Sequence, residues 1–80
     1  MSNADLVKMK VEAGLAGSHV IMHDPRKDDI HLKAEVWWEG FKGMSLIQQH
    51  RAVYDTLKEE LKETLHALGI ETHDRRYDQE

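Results

Sequence analysis

Histidine is the side chain of this sequence best suited to chemistry, and it is unusually frequent. Six histidines occur among 80 residues, whereas cysteine is absent. Without cysteine, the chain alone can form neither a disulfide nor a thiolate metal site, which also fits a reducing compartment. Neutral imidazole is a common metal ligand in proteins. The sequence therefore raises the question of which histidines bind a metal and which are structural.

The histidine at position 66 stands out because leucines surround it. It lies in LHALGIET, residues 65–72, directly after a strongly periodic helical segment. In a strand, His66 would share a face with Leu68 and Ile70, whereas a continued helix would end near Gly69. A lone histidine at a sheet edge is commonly structural, with its nitrogens bonded to a carbonyl or to water. Periodicity alone leaves the helix and the strand open.

The first half of the chain predicts a helix followed by a β-hairpin. Residues 5–15 carry apolar side chains at helical spacing, and residues 18–23 form a short β-type run. After a polar turn, residues 30–38 alternate apolar and polar side chains, which predicts a half-buried strand. The adjacent Trp37 and Trp38 cannot both face the core. We expect one to pack and the other to be exposed or at an interface.

A second amphipathic helix should begin at Ser45, because Gln48 three residues later completes a capping-box pattern. We interpret His50 as a buried structural histidine on its apolar side, and His73 as part of an exposed tail. The apolar stripe of this helix consists of Leu46, Ile47, His50, Val53, Tyr54, Leu57 and Leu61.

The composition predicts one globular domain, residues 1–80, with flexible ends at 1–4 and 73–80. A formal charge of −4 at pH 7 argues against electrostatically driven nucleic-acid binding. Apolar runs are too short for a transmembrane span or signal sequence, so we expect a cytoplasmic protein that binds no membrane. The sequence carries no nucleophile–base pair, paired carboxylates, phosphate loop or zinc-protease motif. We therefore expect a protein that is not an enzyme.

The stretch FKGMSLIQQHRAVYDTLKEELKETLHALGIET resembles the BolA family. The family's His-Arg-x-Val-Tyr motif falls on residues 50–54, and its His-Ala-Leu motif falls on residues 66–68. Upstream, IHLKAEVWW resembles the family's second strand, with His31 on its histidine. The chain departs from the pattern where Gln49 and Glu71 replace usual basic residues, and its hairpin loop is short.

The resemblance implies an α+β fold, the α-β-β-α-β arrangement of the class II KH-like type. Its three-stranded mixed sheet has helices packed on one side, and residues 65–72 become the last strand. The resemblance also implies that the protein pairs with a monothiol glutaredoxin. His66 would then ligate a 2Fe–2S cluster, with thiolates supplied by the glutaredoxin cysteine and by glutathione. For the second ligand His23 and His31 are alternatives, and each could instead be structural.

The implied function is that of a non-catalytic adaptor in iron–sulfur cluster trafficking and assembly or in iron regulation. In isolation we expect no cofactor, and a monomer or weak homodimer. A second interpretation, from the KH-like fold, is a transcriptional regulator linked to stress and morphology, with Lys42, Gly43 and Arg51 contacting DNA. So few positive charges predict weak binding, because phosphate contacts need clustered basic residues. A third is a stress-linked interaction domain that binds no metal. We favour the adaptor.

Overall fold

A computed structural model describes residues 1–59 and 67–79. The elements follow the order α-β-β-α-β, which confirms the expected α+β fold. Short 3-10 helices at Glu39–Phe41 and Tyr77–Gln79 follow the second and third strands. The main elements are α1 (Asn3–Gly14), β1 (His19–His23), β2 (Lys33–Trp37), α2 (Leu46–Asp55) and β3 (Gly69–His73).

The three strands form one mixed sheet with β2 in the centre. β1 pairs antiparallel with β2, and β2 pairs parallel with β3. Trp37 is the register partner of both His19 and His73. Because β2 and β3 are parallel, both begin at the same end of the sheet, which is the edge that carries the β1–β2 hairpin loop.

One face of this sheet packs against the helices and forms the core. Alternation along β2 buries Ala34 and Val36, and Val20 of β1 is buried beside them. Burying each valine stabilises the fold by roughly 1.5–3 kcal/mol. The helical side of the same cluster is supplied by Val7, Val11, Leu15, Val53 and Leu57.

α2 begins where the sequence predicts but ends earlier. The Ser45 hydroxyl accepts the N–H of Gln48, and the Gln48 side chain accepts the N–H of Ser45, so the capping box is present. The helix ends at Asp55 because the next turn tightens: the N–H and the hydroxyl of Thr56 both donate to the carbonyl of Val53. The periodic helical segment that precedes residue 65 in the sequence is therefore interrupted at residues 56 and 57.

The predicted apolar stripe of α2 is also wrong at the first turn. Leu46 and Ile47 are 64% and 68% exposed. Leu46 shares a helix face with Val53, but lies about 10 Å away along the axis, past the end of the core. Ile47 points to a different side. His50 is half-buried rather than part of the core.

Both later strands begin after their predicted starts. β2 begins at Lys33 rather than at residue 30, because the backbone N–H groups of Ile30 and His31 bond to the Asp28 carboxylate. β3 begins at Gly69, whose N–H donates to the carbonyl of Leu32 at 2.9 Å. Residue 67 lies in a turn, so the strand predicted from residue 65 is wrong at its start.

Candidate functional site

The turn between β1 and β2 holds His31 in a defined orientation. Its Nδ1 lies 2.6 Å from Oδ2 of Asp28. The other oxygen of that carboxylate accepts the backbone N–H groups of Ile30 and His31, at 2.9 and 3.0 Å. One aspartate therefore fixes both the backbone and the ring of His31.

The protonation of the Asp28–His31 pair leaves one nitrogen of the imidazole ring, Nε2, able to bind a metal. The hydrogen bond with the His31 ring, followed by those from the N–H groups of His31 and Ile30, holds the pKa of the Asp28 carboxyl far below its ordinary value. An ionised carboxylate only accepts hydrogen bonds, so Nδ1 of His31 carries the proton. In the neutral ring, Nε2 then keeps its lone pair. Metal-binding histidines are commonly held by a carboxylate in this way.

The same turn is attached to the amino terminus of α1. Asp29, with a positive φ of 59°, accepts the backbone N–H groups of Asn3 and Ala4 at 2.6 and 2.9 Å. A carboxylate is favourable there because the first N–H groups of a helix lack partners within it. Asp24 accepts the N–H groups of Asp28 and Asp29 and closes the turn. His31 is therefore part of a hydrogen-bonded turn anchored to a helix.

The other predicted ligands have different positions. His66 lies outside the described residues. The chain that follows it enters β3 at Gly69, directly beside Leu32 and hence at the edge that carries His31. His23 is the last residue of β1, and its Nε2 lies 3.0 Å from Oε1 of Glu35. The structure thus gives His23 and His31 different carboxylate partners.

The sheet face opposite the helices carries a polar cluster that sequence reasoning did not predict. Oε2 of Glu35 lies 2.9 Å from Nε2 of His73, and Oε2 of Glu71 lies 3.2 Å from the same nitrogen. Lys33 forms an ion pair with the other oxygen of Glu71 at 2.7 Å. The hydrogen bond from Lys33 lowers the pKa of Glu71 and raises the pKa of Lys33.

His73 is a strand residue of this face, so its assignment to an exposed tail is wrong. Its side chain is only 20% exposed, and its ring stacks on Trp37 with centroids 4.5 Å apart and planes inclined by 13°. The prediction failed because HDRRYDQE is polar, which is typical of an exposed tail. The position of His73 depends instead on a long-range contact, the pairing of β3 with β2. Glu71 and His73 both project from β3 onto this face.

Neither tryptophan is exposed, whereas we expected one to pack and the other to be exposed or at an interface. Trp37 is 5% exposed although it points away from the helices. His73 stacks on it, and Tyr77 meets it edge-on at 4.8 Å because the final 3-10 turn returns over the sheet. Trp38 is half-buried on the core side, where its Nε1 donates to the carbonyl of Ala16.

The residues that would contact DNA in the regulator interpretation lie in the loop before α2 and on α2 itself. Lys42 and Gly43 form the exposed loop before that helix, where Gly43 has a φ of 85° that favours glycine. Arg51 is exposed on the helix itself. Glu39, in the 3-10 helix before Lys42, pairs with Arg76 at 3.4 Å. The carboxylate of Glu39, paired with Arg76, therefore lies three positions before Lys42 in the sequence.

Comparison with known proteins identifies the chain's relatives. The BolA family model, described as BolA-like protein, matches residues 8–75. The chain belongs to the BolA family. It is 42% identical over 52 residues to the chloroplastic protein BOLA1 of Arabidopsis thaliana, which covers 65% of this chain and 32% of that protein. It is also 42% identical over 53 residues to the DNA-binding transcriptional regulator BolA of Vibrio cholerae, covering 65% and 50%. It thus matches a third to a half of these relatives' length.

A solved structure supports the same assignment. BolA1 from Arabidopsis thaliana superposes with a TM-score of 0.79 at 28% identity, covering all of this chain and 98% of that one. The BolA fold therefore accommodates the departures at Gln49 and Glu71. Gln49 bonds through its side chain to the Thr72 hydroxyl and to the carbonyl of Met44, which joins α2 to β3.

The sequence of this BolA-family chain did not lead us to predict the role of Asp28 or the cluster of Glu35, Glu71 and His73. Asp28 could have been found, because an aspartate three residues before a histidine in a polar turn is a local signal. The convergence of Glu35, Glu71 and His73 has no local signal, since it depends on the register between β2 and β3. Within the described ranges, no helix is both long and apolar enough to cross a membrane.

Proposed function

We propose that this BolA-family protein is a non-catalytic adaptor that shares a 2Fe–2S cluster with a monothiol glutaredoxin. His31 and His66 would supply the two imidazole ligands, and the glutaredoxin cysteine with a glutathione would supply the thiolates. The observation that carries this proposal is the Asp28–His31 pair, which orients the imidazole through Nδ1 and leaves Nε2 outside that hydrogen bond. His23 is less suited to the second position, because it lies on β1, and β2 separates β1 from β3 and from the chain that follows His66.

The sheet topology also supports His31 as the partner of His66. His31 precedes β2 by two residues, and His66 precedes β3 by three residues in the sequence. These two strands are parallel neighbours that begin at one edge. On this proposal the two histidines meet there. The chain has no cysteine, so two nitrogens are its whole contribution to the cluster.

Anaerobic co-expression with a monothiol glutaredoxin tests the proposal. The purified complex should show the visible absorption and circular dichroism of a 2Fe–2S cluster. His66→Ala and His31→Ala should each abolish or strongly alter that spectrum, while the complex of the two proteins without cluster survives. His23→Ala is the matched control and should leave the spectrum unchanged. An unaltered spectrum in His66→Ala would remove the basis of the proposal. Loss of the cluster spectrum in His23→Ala but not in His31→Ala would make His23, rather than His31, the second ligand.

The regulator interpretation stays the alternative, because the Vibrio cholerae relative is named a DNA-binding transcriptional regulator. The charge of −4 and the pairing of Glu39 with Arg76 predict only weak, salt-sensitive binding through Lys42 and Arg51. A titration of duplex DNA at physiological salt measures this. Nanomolar, sequence-specific binding that is lost in Lys42→Ala would make the regulator the better assignment.

A further inference from the structure

We propose that Glu35, Glu71 and His73 form a binding site for a divalent transition-metal ion, Zn²⁺ in the first instance, on the open face of the sheet. This site is separate from the His31–His66 edge and does not depend on the proposed adaptor function. One ligand atom from each of the three residues lies within 4.8 Å of the others. The shortest separations, 2.9 and 3.2 Å, join Nε2 of His73 to the two carboxylates.

The donor spacing suits a small ion. Zn²⁺ binds imidazole nitrogen and carboxylate oxygen at about 2.0–2.2 Å, so tetrahedral donors lie roughly 3.3–3.6 Å apart. The nitrogen–oxygen separations on the sheet are already close to that value. Small side-chain rotations, without any movement of the strands, would therefore admit an ion, which would replace the proton that Nε2 of His73 donates to the carboxylates and release it to solvent. Three protein ligands would leave the fourth position open to water or another molecule.

The strands position these ligands. Glu35 and Glu71 are register partners on adjacent strands, so their side chains are neighbours on one face. The ring of His73 stacks on the buried Trp37, which restricts its rotation. His23 acts as a positioning residue: its Nε2 contacts Oε1 of Glu35, while Oε2 of Glu35 faces His73. A carboxylate held in this way is typical of metal ligands.

The charges on this face also favour a divalent cation. Two carboxylates contribute two negative charges, and Lys33 pairs with Oε1 of Glu71. That ion pair is about half exposed on both sides and is therefore weak. It also leaves Oε2, the oxygen nearest His73, for the ion. The mixture of imidazole and carboxylate suits zinc or iron, whereas magnesium and calcium prefer oxygen alone.

Calorimetric titration of the isolated protein with Zn²⁺ tests this proposal. We expect one equivalent to bind, and Glu35→Gln and Glu71→Gln to weaken binding about tenfold or more. The matched control is the double variant His31→Ala/His66→Ala, which removes the proposed cluster ligands but leaves the sheet face unchanged. It should bind Zn²⁺ like the unaltered protein. Thermal melts recorded without metal establish that each variant is folded.

A nuclear magnetic resonance experiment identifies the ligand atom. Zn²⁺ should shift the Nε2 resonance of His73, while that of His19, which stacks on Tyr77 on the same face, stays nearly constant. Equal affinity in Glu35→Gln and the unaltered protein would overturn the proposal. So would loss of binding in the His31→Ala/His66→Ala control, because the zinc would then occupy the edge of the sheet. Cluster loading with glutaredoxin should be unaffected by Glu71→Gln, which separates the two sites.

Discussion

Asp28 and His31 form a carboxylate–imidazole pair in which Oδ2 lies 2.6 Å from Nδ1. The same carboxylate also binds two backbone N–H groups through its other oxygen, so the ring orientation and the local turn depend on one side chain. The pair is exposed, so it contributes little to the free energy of folding. Its consequence is chemical, because it selects which imidazole nitrogen carries the proton.

Asp28→Ala should weaken the shared cluster without abolishing it, because His31 remains but its tautomer and orientation are no longer fixed. We expect the cluster to be lost to a chelator about 10–100 times faster than from the unaltered complex. The decay of visible circular dichroism after addition of the chelator measures this. Asp55→Ala, which removes an exposed aspartate on α2, is the control. A lifetime equal to that of the unaltered complex would show that the pair plays no part in ligation.

Glu12→Gln should destabilise the protein near neutral pH by about 1 kcal/mol, or roughly 4–8 °C in melting temperature. Oε2 of Glu12 accepts the N–H of Val20 at 3.0 Å and the ammonium of Lys8 at 2.9 Å. These bonds satisfy an N–H group of β1, which is an edge strand. Glutamine keeps an acceptor but loses the charge.

The effect of Glu12→Gln should depend on pH. Burial acts to raise the pKa of Glu12, but the hydrogen bonds from Lys8 and Val20 outweigh it, so the folded-state pKa lies below 4.5. A group with a lowered pKa stabilises the fold above its unfolded value, and that contribution is lost as the pH falls through the folded value. The difference between the two proteins should therefore be full above pH 4.5 and shrink below it. Urea unfolding at several pH values measures it, and a constant difference would contradict the assignment.

Tyr77→Ala should expose Trp37 and lower the free energy of unfolding by about 1 kcal/mol. The Tyr77 ring stacks on His19 at 4.2 Å and meets Trp37 edge-on, so its removal uncovers one side of the indole. In a Trp38→Phe background, the remaining tryptophan emission should shift to longer wavelength. Tyr77→Phe keeps the ring and should behave like the background protein. An unshifted spectrum in Tyr77→Ala would mean that the final turn does not cover Trp37 in solution.

Gly14→Ala should destabilise the protein by about 1–3 kcal/mol. A Cβ at position 14 would lie 2.5 Å from Cγ2 of Thr56, where the end of α1 meets the turn after α2. Thr56→Ser removes that methyl group and keeps the hydroxyl that donates to Val53. The double variant should therefore recover part of the loss, as a double-mutant cycle by thermal denaturation would show. Additive effects would indicate that the two residues are not in contact.

Local features of this protein could be predicted because near neighbours in the sequence create them. The capping box at Ser45 needs only Gln48 three residues away, and both of its hydrogen bonds are present. Alternation likewise identified the buried side of β2, including Ala34 and Val36. The motifs around His50 and His66 indicated the BolA family, and with it the order of the elements. All these patterns span a few residues and depend on backbone periods that every chain shares.

Pairing between residues far apart in the sequence determined the features that local patterns could not predict. Glu35 and Glu71 are 36 positions apart, and only the parallel register of β2 and β3 makes them neighbours, with His73 beside them. That register is set by how the whole sheet packs on the helices, because a shift of one residue would turn every buried side chain outward. The burial of Trp37 has the same origin, since a polar segment returns over the sheet with Tyr77. The sequence by itself thus determined the family and the local elements, whereas tertiary packing alone decided which charged side chains meet.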